Sequence, residues 1–152
     1  MDEIEKAIRK IRNGVFVVTF NLDGKNYGMT TAWVNRASFK PNMLMVSIGK
    51  NRKGGEEILE AEVFCVNILG EDHLEIGRHF GFTNGKNVND FNDIELKEME
   101  NGSPVLKNCV AAVECKLVKK VDAGDHMILF GEILNGVDLD GDAMVFNRED
   151  FS

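Results

Sequence analysis

The sequence predicts a mainly β protein, an antiparallel β-barrel with a few short helices. Runs of β-branched and aromatic residues recur at short spacing, and turns rich in glycine, asparagine, aspartate and proline separate them. Segments with helical periodicity are few and brief. Because six or more such strands alternate with so little helix, an antiparallel barrel is favoured over a series of βαβ units.

The predicted strands begin with a hairpin. Residues 15–32 contain two apolar runs joined by a turn at Gly24, where glycine suits a positive φ angle. Two more extended segments, at 33–39 and 43–48, flank a turn at Pro41. The remaining strands are expected at 63–69, 109–121 and 127–137, with an edge strand at 143–146.

Three short helices are predicted around these strands. Apolar residues at helical spacing mark the first, and acidic residues in the first turn mark the second. The predicted helices cover residues 2–12, 55–61 and 71–80. Residues 81–93 have no periodicity, which predicts a long loop of the kind that often carries function.

The composition is that of one ordinary globular domain, expected to span residues 1–152. No apolar run approaches the roughly 18 residues that a membrane span needs. The first residues carry alternating charges and no apolar signal segment, so a cytoplasmic location is expected. The net charge of -7 disfavours nucleic acids and anionic membranes as partners.

Neither the cysteines nor the histidines form a metal-binding pattern. The three cysteines lie in apolar segments without a C-x-x-C pair, so buried reduced thiols are expected. His73 and His79 lie six residues apart, which does not place them on one helical face as a metal pair. The acidic residues from Asp138 onward match a calcium loop in part, but Ala143 stands where that loop needs glycine. No metal site is therefore expected.

A basic, glycine-flanked loop stands out against the acidic background. Lys50, Arg52 and Lys53 follow the fourth predicted strand. The glycine spacing is that of a Walker loop, but Gly55 occupies the lysine position and no serine or threonine follows. Backbone N–H groups ahead of a helix, together with these cations, suit a phosphate. A solvated turn explains the same residues, and both interpretations stay open.

Two further features suit contacts with a ligand. In the segment 30–33, threonine and alanine suit the polar edge of a heterocycle, and Trp33 offers a stacking face. The same residue types are also ordinary strand formers, so a purely structural role stays open. His126 follows the tight turn at Gly124, at the start of a predicted strand, where it suits a hydrogen-bond donor or a general acid.

Several motifs occur in a fixed order along residues 14–135. They are GVFVVTF, GMTTAW, a turn at Pro41, MLMVSIGKNR, VFCVNIL, GSPVL and Gly124-Asp125-His126. This ordered set resembles the flavin reductase-like FMN-binding proteins, which include NAD(P)H:flavin reductases, flavoredoxins and archaeal ferric reductases. The resemblance implies an FMN-binding split β-barrel with a Greek-key core. It also implies a homodimer with FMN near the dimer interface, and NADH or NADPH as the electron donor.

By this resemblance, two parts of the stretch 27–55 bind different ends of FMN. The residues assigned to the ring are Met29, Thr30, Thr31, Ala32 and Trp33. The residues assigned to the phosphate end are Ser47, Ile48, Gly49, Lys50, Asn51, Arg52 and Lys53. His126 is placed beside the flavin or the nicotinamide as the catalytic residue. Ala32 and Trp33 replace serines that are common in many reductases, which is closer to the flavoredoxins that retain their FMN.

The implied function is that of an NAD(P)H-dependent flavin reductase-type enzyme that passes electrons through FMN to free flavin, iron or a partner protein. The alternative is a non-enzymatic FMN electron carrier without a nicotinamide site. The 81–93 loop bears on this choice, because Phe82 and Phe91 either cover the flavin or leave room for nicotinamide. A barrel that binds no flavin and serves only as an interaction module is a third hypothesis.

Overall fold

The computed structural model describes residues 1–82 and 85–151. The first half contains the helix α1 (Glu3–Ile8) and the strands β1 (Phe16–Leu22), β2 (Lys25–Thr31), β3 (Val34–Phe39) and β4 (Asn42–Gly49). A 3₁₀ turn (Glu57–Glu60), the strand β5 (Val63–Ile68), a second 3₁₀ turn (Glu71–His73) and the helix α2 (Leu74–Phe80) follow. The rest contains β6 (Leu96–Glu98), β7 (Pro104–Leu106), β8 (Ala111–Ala123), β9 (His126–Asp138) and a 3₁₀ turn at Arg148–Phe151.

Seven of these strands form one antiparallel sheet in the order β2-β1-β5-β8-β9-β4-β3, and β6 pairs with β7 in a separate hairpin. Chain neighbours pair in the β1–β2, β3–β4 and β8–β9 hairpins. β2 and β3 lie at opposite edges of the sheet, although only Ala32 and Trp33 separate them in sequence. The chain therefore crosses between the two edges within the segment predicted to line a ligand.

The two edges of the sheet meet over one apolar core. Phe20 of β1 packs in the same cluster as Met29 of β2, Val46 of β4 and Phe64 of β5. Because β2 and β4 are first and sixth in the strand order, the sheet must curl to bring their side chains into one cluster. The prediction of a mainly β, antiparallel fold with a few short helices is confirmed.

Alternate residues of β1 face two different apolar clusters. Val18 and Phe20 face the barrel core, whereas Val17 faces a second cluster that also contains Phe80 of α2. Full burial of one such side chain contributes about 1.5–3 kcal/mol to the free energy of unfolding. Both faces of β1 are covered, which explains why its sequence reads as a continuous apolar run.

Most of the predicted elements occur close to their expected positions. The hairpin at 15–32, the strands at 43–48, 63–69 and 127–137, and the helix at 71–80 are confirmed within about two residues at most ends. The first predicted helix is shorter than the expected 2–12, and α1 has no buried residue. No helix in the described part of the chain is long and apolar enough to cross a membrane.

One predicted helix is shorter than expected, and one predicted strand is wrong. The short helix expected at 55–61 is a 3₁₀ helix at Glu57–Glu60. The edge strand expected at 143–146 is replaced by two isolated bridges, from Ala143 to Gly70 and from Val145 to Gly14. Because each bridge joins this segment to a different part of the chain, the segment does not pair with either part as a continuous strand. The strand β6 was not predicted.

Candidate functional site

Three of the predicted ligand-binding segments meet at one end of the barrel. The Ser47 N–H donates to the Trp33 carbonyl at 2.9 Å, which ties β4 to the crossover between β2 and β3. The Lys50 N–H donates to the Asp125 carbonyl at 2.9 Å, which ties the basic loop to the β8–β9 turn. The fold therefore brings together the crossover, the basic loop and the turn that carries the predicted catalytic histidine.

His126 and Trp33 form an aromatic pair at this junction. Their ring centroids lie 4.8 Å apart with 37° between the planes, and the Trp33 side chain remains 54% exposed. His126 Nδ1 contacts Asp125 Oδ1 at 2.7 Å. The other ring nitrogen, Nε2, lies 3.8 Å from the position that a Cβ on Gly49 would occupy. The His126 ring is held by a tilted aromatic contact and a hydrogen bond, with Nε2 beside the start of the basic loop.

The carboxylate of Asp125 was not among the predicted site residues. Its hydrogen bond with His126 lowers the pKa of Asp125, so this exposed group is a carboxylate at neutral pH. A carboxylate only accepts hydrogen bonds, so the proton of the contact resides on His126 Nδ1. Nε2 is then the ring nitrogen that Asp125 does not contact.

A cavity of about 190 Å³ opens beside Trp33 on the outer face of the sheet. Its lining residues are Asn13, Trp33, Val34, Asn35, Met45, Ser47 and Ile128. Ser47 faces away from the barrel core, because its strand neighbours Val46 and Ile48 are buried in that core. Cofactor pockets usually measure about 300–1,000 Å³, so this cavity covers part of a ligand of that size.

Thr30 and Thr31 are buried, and their hydroxyl groups bond within the protein. Thr30 Oγ1 donates to the Gly77 carbonyl at 2.8 Å, and Thr31 Oγ1 accepts from the Trp33 N–H at 3.3 Å. The other predicted binding residues with side chains at most 6% exposed are Met29, Ala32 and Ile48. These buried residues lie beneath the surface of the site, whereas Trp33 and Ser47 line the cavity.

We expect Thr30→Val to lower the free energy of unfolding by about 1 kcal/mol, because it removes a buried hydrogen bond and nearly conserves volume. Urea unfolding of the purified variant measures this loss. Thr31→Val is the matched control, since the Thr31 hydroxyl makes a longer bond. Equal free energies of unfolding for the two variants would show that the bond from Thr30 to Gly77 stabilises the fold no more than the bond at Thr31 does.

The basic loop is a tight turn. The Arg52 N–H donates to the Gly49 carbonyl at 3.2 Å, and the Gly55 N–H donates to the Arg52 carbonyl at 2.9 Å. A Cβ on Gly55 would lie 2.8 Å from that Arg52 carbonyl, which explains why glycine stands there and not the Walker lysine. Lys50 Nζ pairs with Asp122 at 2.8 Å on the surface. The exposed residues of the loop are Lys50, Asn51 and Lys53.

The guanidinium group of Arg52 lies largely inside the protein. One terminal nitrogen donates to the Gly81 carbonyl at the end of α2, while Nε is buried and has no hydrogen-bond partner among the described residues. Burial lowers the pKa of Arg52 to about 10, so the group is still charged at neutral pH. A buried, charged N–H without a partner is costly, and an anionic oxygen would satisfy it. The surroundings of Arg52 therefore fit a phosphate group.

The two aromatic residues singled out in the 81–93 loop pack into the second apolar cluster. The Phe82 ring centroid lies 4.8 Å from that of Phe151, and the Phe91 centroid lies 5.1 Å from that of Phe80. These partners are distant in sequence, so no local pattern predicted them. Residues 83 and 84 of this loop lie outside the described residues.

A larger cavity, of about 880 Å³, lies at the other end of the β1–β2 hairpin. Asn26 near the start of β2 lines it, whereas the crossover lies beyond Thr31 at the end of β2. The carboxylates on its wall are Asp23, Glu60, Glu62 and Glu98. Because these carboxylates outnumber the lining cation Lys97 and repel a phosphate, we place the candidate site at the Trp33–His126 end of the barrel.

The protein is a small β protein whose curled antiparallel sheet carries aromatic and cationic residues at one end, an arrangement suited to a cofactor. The chain belongs to the flavin reductase-like family, because the family model described as a flavin reductase like domain matches residues 8–152. The family resemblance seen in the ordered sequence motifs is thereby confirmed.

Individual relatives agree with this assignment. A diflavin flavoprotein of Nostoc sp. is 32% identical over 149 residues, which cover 96% of this chain and 26% of that protein. The flavin reductase PheA2 superposes with a TM-score of 0.83 at 31% identity, over 96% of this chain and 94% of the other. BorF, the flavin reductase component of a bacterial two-component tryptophan halogenase, has a TM-score of 0.81 at 26% identity, over 93% and 92%.

The chain spans about a quarter of the length of the diflavin flavoproteins that it matches. It covers nearly the whole of the two flavin reductases. Family and relatives together identify a flavin-related oxidoreductase domain.

Proposed function

We propose that this chain binds FMN, accepts electrons from NADH or NADPH, and passes them to free flavin, iron or a partner protein. The observation that carries the proposal is the half-buried Arg52, whose buried Nε lacks a partner among the described residues at the loop beside the Trp33–His126 pair. The names of two relatives support it, since PheA2 is a flavin reductase and BorF is a flavin reductase component.

Each part of the site has a separate task in this proposal. Arg52 and the backbone of the basic loop hold the phosphate, while Trp33 and Ser47 border the ring on the outer face of the sheet. When bound, the flavin supplies the hydride and electron chemistry. His126 holds or releases a proton at Nε2, and Asp125 keeps the imidazole oriented for this. The Trp33 indole shields one side of the site from water.

A second function, that of an FMN electron carrier without a nicotinamide site, is favoured by one observation. The Trp33 indole already packs against His126, the residue next to which a nicotinamide ring is expected. A donor nucleotide then has to displace the indole or bind beyond it. A carrier that exchanges electrons with a protein needs no such displacement.

The absorption spectrum of the purified protein, followed by anaerobic addition of NADH or NADPH, separates these functions. A flavin spectrum that is bleached by either nucleotide supports the reductase. A flavin spectrum that only a chemical reductant bleaches supports the carrier. A colourless protein that leaves the fluorescence of added FMN unquenched contradicts both and favours an interaction module.

We expect Arg52→Ala to weaken FMN binding by about 1–3 kcal/mol, roughly 5- to 150-fold. Riboflavin binding should change little, because riboflavin lacks the phosphate that Arg52 holds. Fluorescence titration with each flavin measures both affinities. Lys116→Ala is the control, since Lys116 is an exposed cation on β8, outside the candidate site. Equal losses for FMN and riboflavin would contradict the phosphate role.

The proposal includes a homodimer. Ile4, Ile8 and Ile11 are 52–70% exposed and recur at helical spacing along and just beyond α1. Trp33 and Phe39, near β3 at the edge of the sheet, are exposed as well. A second copy of the chain would cover this apolar surface. Sedimentation equilibrium tests this, and a monomer at micromolar concentration would contradict it.

A reducing, cytoplasmic setting belongs to the same proposal. The three cysteines are free and buried, as the sequence predicted. Burial raises the pKa of Cys65, and it raises the pKa of Cys115 to about 12. Neither group is therefore a thiolate at neutral pH, which fits a structural role for both thiols.

A further inference from the structure

Two side chains of the proposed flavin site bond to backbone carbonyls in the last turn of α2. Thr30 Oγ1 donates to the Gly77 carbonyl at 2.8 Å, and the Arg52 guanidinium donates to the Gly81 carbonyl. Gly81 closes the helix with a φ angle of 66°, and its N–H donates to the Gly77 carbonyl at 3.0 Å. The direction of the unpartnered Arg52 Nε therefore depends on where this turn lies.

The other side of the same turn is held by residues 144–151, which we call the aromatic strap. The Met144 N–H donates to the Leu69 carbonyl at 2.8 Å, which anchors the beginning of the strap. Arg78 Nε, on α2, donates to the Asp150 carbonyl at 2.7 Å, which anchors its end to the helix. The strap is thus bonded both to the end of β5 and to α2.

Aromatic rings fill the space between the strap and the turn. The Phe151 ring packs edge-on against Phe82 at a centroid distance of 4.8 Å, and Phe146 lies 5.2 Å from Phe82. A Cβ on Gly77 would lie only 3.1 Å from Phe151 Cε1, so this ring rests directly on the helix backbone. Phe82 directly follows Gly81, so the rings contact both ends of the turn that bonds to Thr30 and Arg52.

We propose that the aromatic strap positions the Gly81 carbonyl, and through it the Arg52 guanidinium, for the flavin phosphate. Phe82, Phe146 and Phe151 are then positioning residues that need not touch the cofactor. This inference rests on the proposed FMN binding. Without Phe151 the strap loses the ring that rests on Gly77, and more of the cost of ordering Arg52 falls on the binding step.

Phe151→Ala tests this positioning role by flavin titration. We expect FMN binding to weaken roughly tenfold and riboflavin binding to weaken less than about twofold. Arg52→Ala/Phe151→Ala should bind FMN no more weakly than Arg52→Ala alone, because the strap acts through Arg52. Phe151→Tyr keeps the ring and should restore FMN affinity. Leu96→Ala is the control, since Leu96 packs against the same cluster from β6 and should change neither affinity.

Three results would overturn the inference. Phe151→Ala could weaken FMN and riboflavin equally, leave both unchanged, or add its full loss to that of Arg52→Ala. If Phe151→Ala does not fold, Phe151→Leu replaces it, and an unchanged ratio of FMN to riboflavin affinity then counts against the strap. Failure of the proposed function would give other results. The unmodified protein would bind no FMN, or Arg52→Ala would leave the ratio of FMN to riboflavin affinity unchanged.

Discussion

Replacing Glu114 with alanine should lower the free energy of unfolding by about 3–5 kcal/mol. Glu114 on β8 is completely buried, and its carboxylate accepts four hydrogen bonds. The donors are the Asn101 N–H and Nδ2 at 2.9 and 3.1 Å, the Ser103 N–H at 3.0 Å and Asn135 Nδ2 at 2.8 Å. Alanine leaves these donors without their acceptor and opens a cavity between the β6–β7 hairpin and the sheet.

Urea unfolding of Glu114→Ala measures this loss. Glu132→Ala is the control, because Glu132 is an exposed residue of the paired strand β9 and its loss should change stability by no more than about 0.5 kcal/mol. A loss below about 1 kcal/mol for Glu114→Ala would show that water replaces the carboxylate.

The same carboxylate predicts a pH dependence of stability. Burial alone would raise the pKa of Glu114, but hydrogen bonds from Ser103, Asn135 and Asn101 outweigh it and hold this pKa below its usual range. A depressed folded-state pKa adds stability that is fully present above the unfolded value of about 4.3 and is lost as pH falls through the folded value. The unfolding free energy should therefore drop below about pH 4, and less steeply in Glu114→Gln.

The hairpins were predictable from the sequence because their signals are local. The β1–β2 turn depends on an apolar run and on Gly24, which has a φ angle of 83°. Buried cysteines follow in the same way from apolar neighbours. Within the stretch 27–55, the Ser47 N–H bonds to the Trp33 carbonyl and Gly54 lies against Met29, although β2 and β3 occupy opposite edges of the sheet.

Contacts between distant segments were not predictable. The bond from Arg52 to Gly81 spans 29 residues, and no local pattern indicates that the end of α2 will lie beside the basic loop. The packing of α2 against β2 also turns the Thr30 hydroxyl towards Gly77. Sequence reasoning therefore predicted the segments of the candidate site, and it could not tell which of their residues reach the surface and which support the others.

His126→Ala should reduce turnover with NADH or NADPH roughly 100-fold and change FMN affinity less than about threefold. The reason is that His126 Nε2 is the nitrogen that exchanges a proton in the proposed reductase, while Arg52 holds the phosphate. Stopped-flow reduction of the bound flavin measures the first effect, and fluorescence titration measures the second. Asp125→Asn should give a smaller loss, because the amide oxygen still accepts from Nδ1 but no longer stabilises a charged ring.

The pattern of losses separates a chemical role from a structural one. If His126 only supports Trp33 through their ring contact, His126→Phe should restore the rate, because phenylalanine keeps an aromatic face and has no proton to exchange. The alternative result is a low reduction rate in every variant without an imidazole, together with a rate in the unmodified protein that depends on pH. That result would show that His126 takes part in the reaction. If the unmodified protein binds FMN but neither NADH nor NADPH reduces the bound flavin, His126 has no role in a reaction with nicotinamide. That result would support the electron carrier.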